Sequence, residues 1–383
     1  MTGMHILFWA TAALIVYVYA GYPALLALIG ACGGRKSVKA APLEPPVTLV
    51  VSAYNEAGVI GEKMANSLAL DYPAGKLEVL VVSDASDDGT DDIVRSIADP
   101  RVQLLRMEAR GGKTLGLNAA VLAARGEIVV FSDANAMYRP DAIRRMVSNF
   151  ADPAVGAVIG ESTYSDATGG ADQDESLYWR YEVAIKRLES AIGSVVGGDG
   201  AIYAIRRSLY VPMRADALSD FVNPLQIARS GYRCVYEPRA ISVEKAAGDF
   251  DREFRRKVRI VNRAWRAMMS LKDLLNPFRH GFFTLEIVSH KVLRWLVPLF
   301  LLICLLANLA LLREGGLYVF LLAGQVLFYA LAAVGHARRL RGDLPRALAL
   351  PYYFVMVNLA SARGILEAYW GRTYTTWTPP RAS

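Results

Sequence analysis

The feature that most constrains this chain is an uncharged apolar run near its N-terminus. No charged residue occurs from Ile6 to Gly34. At about 1.5 Å per residue, a helix of this length crosses the roughly 30 Å hydrocarbon core of a bilayer. The basic residues Arg35 and Lys36 follow the run instead of preceding it. This charge order predicts an uncleaved transmembrane anchor over 1–34, with the N-terminus outside and the following chain in the cytoplasm, and a cleaved signal peptide is the alternative.

A second apolar region lies towards the C-terminus. Two apolar stretches within 292–336 are separated by a charged Gly-Gly turn, and they predict two transmembrane helices. The basic residues that follow place the next loop in the cytoplasm. Residues 344–370 are also apolar but contain Asn358, Arg363 and Glu367. This segment is therefore predicted as either an interface helix or a third C-terminal membrane helix.

Residues 251–291 are predicted to form amphipathic helices at the membrane surface. Phe254, Val258, Val261 and Trp265 begin an apolar stripe at three- and four-residue steps, with arginines and lysines on the other faces. A helix in the bilayer interface has this pattern, and so does a core-packed helix with a solvated basic face. The net charge of +7 is densest here, beside apolar spans, so it favours lipid headgroups over nucleic acid as the partner.

The segment between the anchors has the pattern of an α/β domain. After a Pro-rich linker, short apolar runs such as VTLVVSA, LEVLVVSD and EIVVFSD alternate with helical stretches. Near-continuous apolar strands separated by helices indicate a mostly parallel sheet covered on both faces. We predict a cytoplasmic, Rossmann-like domain over 46–250 that binds its ligand at the carboxyl ends of the strands.

Polar residues follow the first two predicted strands. Tyr54 and Glu56 come after the first strand and Asp84 after the second, so all three are expected at the same rim. A carboxylate at Asp84 can accept hydrogen bonds from a base or a ribose. Asp87 and Asp88 lie in the sequence SDDGT, which suits a turn and a helix N-cap as well as ligand binding.

The strand EIVVFSD ends in a D-x-N sequence. Asp133 and Asn135 each carry a side-chain oxygen, and both can reach one hard cation. A bound Mg²⁺ or Mn²⁺ would neutralise a departing diphosphate. The sequence therefore predicts a divalent-cation site at this strand end.

The sequence GGKT at 111–114 suggests a phosphate contact. A Walker P-loop requires glycine six residues before the lysine, where Met107 stands, so the P-loop interpretation is excluded. Lys113 is instead expected to meet phosphate from a Gly-rich turn at a helix start. A solvated lysine at that position is the alternative.

The motifs AYNE, SDASDDGT, GGKTLGLNAA and FSDANA, followed by GGDGAIYAIRR, SDF and GYRCVYEP, resemble family-2 glycosyltransferases with a GT-A fold. The resemblance covers about 46–275 and is greatest to the cellulose-synthase-like and hyaluronan-synthase-like membrane branch. Many relatives carry aspartate at the position of Asn135. The resemblance implies that Tyr54, Glu56 and Asp84 hold the uridine part of the donor and that Lys113 lies near its diphosphate. It also implies that Asp133 and Asn135 hold the metal. The acceptor side would be formed by Gly198, Asp199 and Gly200.

Asp220, in the sequence LSDF, matches the catalytic base of the family's acidic motif, although Ser219 stands where the acidic neighbour is usual. An inverting transfer needs one carboxylate that takes the proton of the acceptor hydroxyl as its oxygen attacks the anomeric carbon. A helix N-cap before Phe221 is the alternative role for Asp220.

Processive relatives carry a Q-x-x-R-W motif on the interface helix. Here the overlay reads Val261 to Trp265, and only Trp265 matches in register. Arg259 or Arg263 is expected to reach the diphosphate from this helix, because guanidinium groups recognise phosphate well. The departure from the motif counts against long processive polymerisation.

The tail over 371–383 contains Trp377, Thr378, Pro379, Pro380 and Arg381, and it is similar to the gating loop that caps the donor site of hyaluronan synthases. A disordered tail is the alternative. If Trp377 caps the donor, the C-terminus lies inside.

The resemblance implies an inverting transferase of the cytoplasmic membrane that moves a sugar from a nucleotide-sugar, expected to be a UDP-sugar, to a lipid-linked or glycan acceptor in exopolysaccharide or cell-envelope synthesis. Two alternatives are a single-sugar glycolipid transferase and a catalytically silent nucleotide-sugar-binding subunit of an export complex. The oligomeric state is left open.

Overall fold

The computed structural model of the protein describes residues 2–165, 172–245 and 250–376. The strands are β1 (Val47–Ala53), β2 (Leu77–Ser83), β3 (Val102–Arg106), β4 (Ile128–Asp133), β5 (Met137–Tyr138), β6 (Val155–Ser165), β7 (Tyr203–Arg206) and β8 (Arg233–Lys245). The α-helices are α1 (Thr2–Val16), α2 (Tyr22–Ala31), α3 (Ala57–Leu68), α4 (Thr90–Arg95), α5 (Lys113–Ala123), α6 (Ala142–Ser148), α7 (Asp172–Ile192), α8 (Ser219–Arg229), α9 (Phe250–Ser270), α10 (Pro277–His280), α11 (Phe282–Ile287), α12 (Leu293–Ala310), α13 (Gly316–Leu340) and α14 (Arg346–Tyr369).

The strands form one mixed sheet in the order β3-β2-β1-β4-β7-β6-β8-β5. β1 pairs in parallel with β2 and β4, and β2 pairs in parallel with β3. β7 runs antiparallel between β4 and β6, and β5 runs antiparallel to β8. β6 and β8 pair in parallel, so the predicted parallel pairing is confirmed for most of the sheet. The antiparallel strands β7 and β5 were not predicted, because they span only Tyr203–Arg206 and Met137–Tyr138.

The apolar strands are buried on both faces of the sheet. In β1 every residue is buried, with Leu49 and Val51 in one hydrophobic cluster and Val50 in the other. β4 repeats this alternation with Val130 and Phe131. Successive side chains of a strand point to opposite faces, so a continuous Val-rich run needs cover on both sides. Helices α3 and α6 cover one face and α5 covers the other.

In the part of the chain that the structure describes, three helical segments are long and apolar enough to cross a membrane: Gly3–Ala31, Phe282–Ala310 and Gly316–Leu340. The predicted anchor and the two predicted C-terminal spans correspond to these segments, but the second span starts at Phe282, earlier than predicted. Its early part contains His290, whose imidazole lies 2.6 Å from Glu189 of α7. The hydrogen bond to Glu189 satisfies the His290 imidazole inside the protein. In the sequence alone, the polar His290 indicated that this part of the segment lies at the membrane interface.

The helix α14 does not belong to the candidate spans in the described part of the chain. It crosses α9 closely, because a Cβ built on Gly364 would lie 2.8 Å from the carbonyl oxygen of Val258. The predicted apolar stripe lies on α9. It packs inside the protein, because Trp265 on this stripe is 7% exposed and contacts Trp295 and Tyr369. The core-packed alternative holds for this stripe.

Candidate active site

The carboxyl ends of β1 and β2 form the rim where the predicted ligand residues meet. Asn55 and Ala85, which follow these strands, have φ angles of 54° and 59°. Left-handed backbone at residues other than glycine costs about 1 kcal/mol or more, and such strain concentrates at functional sites. Tyr54 is half-buried at this rim, with the guanidinium of Arg110 3.9 Å from the centre of its ring. This arrangement presents an aromatic face and a cation at one edge of the sheet.

Asp84 is buried, and its carboxylate is bonded to the backbone of the Gly-rich turn. Its Oδ1 accepts from the amide of Gly111 at 2.7 Å, and its Oδ2 accepts from the amide of Gly112 at 2.9 Å. Asp84 therefore fixes the turn that precedes Lys113. A contact between Asp84 and a base or ribose stays a prediction.

Asp87 and Asp88 have turn roles, and the N-cap position of α4 is occupied by Gly89. The Oδ1 of Asp88 accepts from the backbone amide of Thr90 at 3.0 Å, at the start of α4. Its Oδ2 accepts from the amide of Ala57 at 2.9 Å. Asp87 accepts from the side-chain amide of Asn55 at 2.8 Å. These bonds join the β1 and β2 ends, and the bond from Thr90 to Asp88 forms an Asx-turn just before α4.

Lys113 begins α5, and its ammonium group pairs with the carboxylate of Asp133. It also lies 3.4 Å from the carbonyl oxygen of Gly200. Burial acts to lower the pKa of Lys113, but the carboxylates of Asp133 and Asp220 outweigh it and the pKa is raised. Lys113 is thus a charged group inside the site, which rules out the solvated alternative.

The turn after β4 places Asp133 and Asn135 beside β8. The Nδ2 of Asn135 donates to Oε2 of Glu244 at 3.3 Å. Lys63, which is fully buried, donates from its ammonium group to the carbonyl of Ala136. The turn is therefore held from two sides.

Asp220 lies in the first turn of α8, next to the GGDG turn. The amide of Gly198 donates to the backbone carbonyl of Asp220 at 2.6 Å. A Cβ built on Gly200 would lie 3.4 Å from Oδ2 of Asp220 and 3.6 Å from Nζ of Lys113, so Gly200 separates the two charged groups. The N-cap position of α8 is occupied by Leu218, so Asp220 lies inside the first turn of the helix. The N-cap alternative is therefore not what the structure shows.

The electrostatic environment of Asp220 makes it a stronger base than an exposed aspartate. Burial raises its pKa, and Asp199 adds to this effect. Lys113 and Arg263 act in the opposite direction, but the pKa stays above its usual value. A raised pKa moves a carboxylate towards the range that suits a general base at neutral pH.

The sequence of the α/β segment matches a known family. A model described as "Glycosyl transferase family 2" matches residues 48–210, from β1 to beyond β7. Residues 48–210 of this chain are a family-2 glycosyltransferase domain. The matched segment contains Asp84, Lys113 and Asp133, whereas Asp220 follows it.

Named relatives of this glycosyltransferase are enzymes of the same kind. The N-acetylglucosaminyltransferase of Rhizobium sp. (strain N33) is 26% identical over 318 residues, which are 78% of this chain and 69% of the relative. The poly-beta-1,6-N-acetyl-D-glucosamine synthase of Staphylococcus aureus (strain MSSA476) is 26% identical over 202 residues, or 51% of this chain and 48% of the synthase. The chain thus spans about half the length of the synthase.

A solved structure shows the same fold over nearly the whole chain. The mannosyltransferase PcManGT from Pyrobaculum calidifontis, in complex with GDP-Man and Mn²⁺, superposes with a TM-score of 0.73 at 26% identity. The match covers 96% of this chain and 99% of that chain. It confirms the GT-A fold predicted for this glycosyltransferase.

The residues of the rim fit a divalent cation that arrives with a diphosphate. Among the described residues, no group of three or more His, Cys, Asp or Glu side chains could hold a metal ion. The available protein oxygens are those of Asp133 and Asn135, and Asp133 already pairs with the cationic Lys113. Nucleotide sites commonly hold Mg²⁺ by one or two carboxylates and complete its shell with phosphate oxygens and water.

The arginines of α9 have different surroundings in the glycosyltransferase. Arg263 donates to the hydroxyl of Thr114 at 3.0 Å and to the carbonyl of Ala217, so it joins the α5 and α8 ends of the site. Arg259 is half-buried, and in the described ranges no carboxylate pairs with it. Burial and then Arg256 lower the pKa of Arg259. An anion bound beside Arg259 would raise the pKa of this arginine and so oppose the effects of burial and of Arg256.

The C-terminal segment runs from α14 back onto the Gly-rich turn. The side-chain amide of Asn262 donates to the carbonyl of Arg372 at 3.2 Å. The chain then reaches Gly112, where a built Cβ would lie 2.1 Å from the carbonyl oxygen of Thr375. Trp377 and the remainder of the predicted gating loop lie outside the described residues, and their role stays a prediction.

Four site residues were not predicted from the sequence: Lys63, Arg110, Asn262 and Glu244. Burial lowers the pKa of Lys63 to about 7, and burial together with Asp133 and Asp199 raises the pKa of Glu244 to about 7. A lysine in the middle of an apolar helical face was the one available signal for Lys63.

Proposed function

We propose that this enzyme transfers a sugar with inversion, from a UDP-sugar to a lipid-linked or polysaccharide acceptor at the cytoplasmic membrane face. The process it serves would be exopolysaccharide or cell-envelope glycan synthesis. The observation that carries the proposal is the environment of Asp220, whose half-buried carboxylate lies across Gly200 from Lys113.

The base in this mechanism is Asp220. Its carboxylate takes the proton of the acceptor hydroxyl while that oxygen attacks the anomeric carbon from the face opposite the leaving diphosphate. Gly198, Asp199 and Gly200 are the proposed acceptor side, where Gly198 packs against the backbone carbonyl of Asp220 and Gly200 lies next to the Asp220 carboxylate. Arg263 holds the backbone before Asp220 through its bond to Ala217.

The donor lies at the ends of β1, β2 and β4. Tyr54, Glu56 and Asp84 are the proposed nucleoside contacts, and the Arg110 guanidinium over Tyr54 supports this edge. Lys113 and Arg259 are the proposed diphosphate contacts, and Trp265 and Trp377 stay proposed donor-side groups. A cation held by Asp133 and Asn135, Mg²⁺ or Mn²⁺, supplies charge neutralisation for the departing diphosphate.

Relatives support the class of donor and the setting. PcManGT was solved with GDP-Man and Mn²⁺, and the staphylococcal relative is a polysaccharide synthase. The three candidate spans support a membrane setting. We propose the orientation with the catalytic domain in the cytoplasm because basic residues flank the spans on that side.

The proposal is tested with the full chain in detergent or native membranes, using Asp220→Asn. We expect transfer from the accepted donor to fall at least about a hundredfold, as for loss of a general base, with UDP affinity largely retained. Asp92→Asn, at an exposed position of α4, is the matched control and should transfer at the wild-type rate. Full transfer by Asp220→Asn would remove this residue from the mechanism.

The donor and the product are decided by two further measurements. A panel of UDP-sugars and GDP-mannose, read out by nucleotide release with Mn²⁺ or Mg²⁺, identifies the donor. Product length on a gel separates a polymerase from a transferase that adds a single sugar to a glycolipid. Binding of UDP without turnover across the panel would favour the silent-subunit alternative.

A further inference from the structure

The cation site contains an amide, and an amide is not symmetric. A carboxylate presents an oxygen in either orientation of its terminal group, whereas the amide of Asn135 has one oxygen and one NH₂ group. Hard cations such as Mg²⁺ and Mn²⁺ bind the oxygen only. A site built with Asn135 therefore needs a group that fixes which end of the amide faces the cation.

The structure provides such a group at the end of β8. The Nδ2 of Asn135 donates to Oε2 of Glu244 at 3.3 Å. The strand β5 starts two residues after Asn135 and pairs with β8, with Met137 opposite Val243. This short ladder holds the turn and Glu244 side by side. Because Oε2 of Glu244 accepts from the NH₂ end of the amide, the amide oxygen of Asn135 is turned away from Glu244.

A second contact keeps the turn in place. The buried ammonium group of Lys63 donates to the carbonyl of Ala136, one residue after Asn135, and lies 4.2 Å from the centre of the Tyr138 ring. The backbone on the β5 side of Asn135 is therefore fixed independently of its side chain. What Glu244 adds is the orientation of the amide.

We propose that Glu244 is a positioning residue that orients Asn135, so that the amide oxygen faces the divalent cation brought by the nucleotide-sugar. This inference rests on the proposed function. Glu244 acts through Asn135 and does not touch the cation. Removing a carboxylate that orients a metal ligand typically weakens metal binding about 10- to 100-fold.

The test measures Mn²⁺ affinity and not sugar transfer. The full chain in detergent is titrated with Mn²⁺ in the presence of saturating UDP, and free Mn²⁺ is followed by electron paramagnetic resonance. Four proteins are compared: the wild type, Glu244→Gln, Asn135→Asp and the double variant. UDP affinity without metal and the thermal unfolding midpoint are measured for each protein, so that a folding defect is recognised.

We expect Glu244→Gln to weaken Mn²⁺ binding about 10- to 100-fold in the wild-type background, because glutamine can donate as well as accept and no longer selects one end of the amide. In the Asn135→Asp background, the same change should weaken Mn²⁺ binding much less, because a carboxylate needs no orientation and only the attraction of the nearby Glu244 charge is lost.

Three results would overturn the inference. Unchanged Mn²⁺ affinity in Glu244→Gln would show that Glu244 does not orient the amide. An equal loss in both backgrounds would show that Glu244 binds the cation directly. A wild type that binds UDP but no Mn²⁺ would refute the cation site and this inference with it, and a wild type that binds neither would refute the proposed function.

Discussion

The contact between Gly112 and the C-terminal segment gives a prediction that can be worked out from the structure. Gly112 has φ 88° and ψ 158°, a region that is essentially restricted to glycine. Its amide also donates to Asp84 at 2.9 Å, so the turn cannot relax without losing that bond. A Cβ at this position would lie 2.1 Å from the carbonyl oxygen of Thr375. Gly112→Ala therefore has two separate costs.

The backbone cost of Gly112→Ala is about 1 to 3 kcal/mol, which lowers the unfolding midpoint by roughly 2 to 12 °C for a domain of this size. The second cost is the displacement of the segment that ends near Thr375. In a chain truncated after Arg372 that segment is absent, so only the backbone cost should remain. The wild type, Gly112→Ala, the chain truncated after Arg372 and the truncated Gly112→Ala chain are compared by thermal unfolding in detergent and by UDP affinity with Mn²⁺.

Gly111→Ala is the matched control, because a Cβ there would meet only the flexible Leu115 side chain, at 3.2 Å. We expect it to cost less than Gly112→Ala in both assays. Truncation should weaken UDP binding in the wild type and should have no further effect in Gly112→Ala. Equal effects of truncation in both backgrounds, or equal effects of the two alanines, would refute the contact.

Three further predictions concern the base, a helix crossing and the topology. The raised pKa of Asp220 places the acidic limb of the pH–rate profile above the usual aspartate value of about 4. Lys113→Met should move this limb to higher pH, because the substitution removes a cation that lowers the pKa of Asp220. Gly364→Ala should lower the unfolding midpoint in detergent, because its Cβ would meet a backbone carbonyl of α9 at 2.8 Å, whereas Gly324→Ala, with open space around it, should be neutral or raise the midpoint slightly. A cysteine introduced by Ser383→Cys should not be labelled by a membrane-impermeant thiol reagent until the cells are opened, whereas a cysteine introduced in the turn between α12 and α13 should be labelled in intact cells. The reverse labelling pattern would exclude a capping role for the tail.

The sequence was sufficient where one local pattern determines the structure. The strands β1, β2 and β4 are continuous apolar runs that end in polar residues, and the apolar run at the N-terminus is long enough to span a bilayer without a charge. Lys113 and Asp133 were therefore predicted at one rim, and the structure pairs them.

The remainder depends on contacts between distant segments. Glu244 meets Asn135 across 109 positions in the chain, through a strand of two residues that has no recognisable pattern. Arg263 contacts Thr114 across 149 positions. Trp265 has the spacing of an interface residue, and its burial is decided by Trp295 and Tyr369, which come from other helices. Local periodicity carries no information about such partners.

The path of the chain beyond α14 has a consequence for biosynthesis. The segment that reaches Gly112 follows the three candidate spans of the described chain, so it leaves the ribosome after them. The rim at the ends of β1 and β2 is encoded earlier and receives this contact only once the spans have been synthesised. A nascent chain whose spans are still being inserted into the bilayer would thus have an incomplete rim, and the proposed sugar transfer would begin only after insertion.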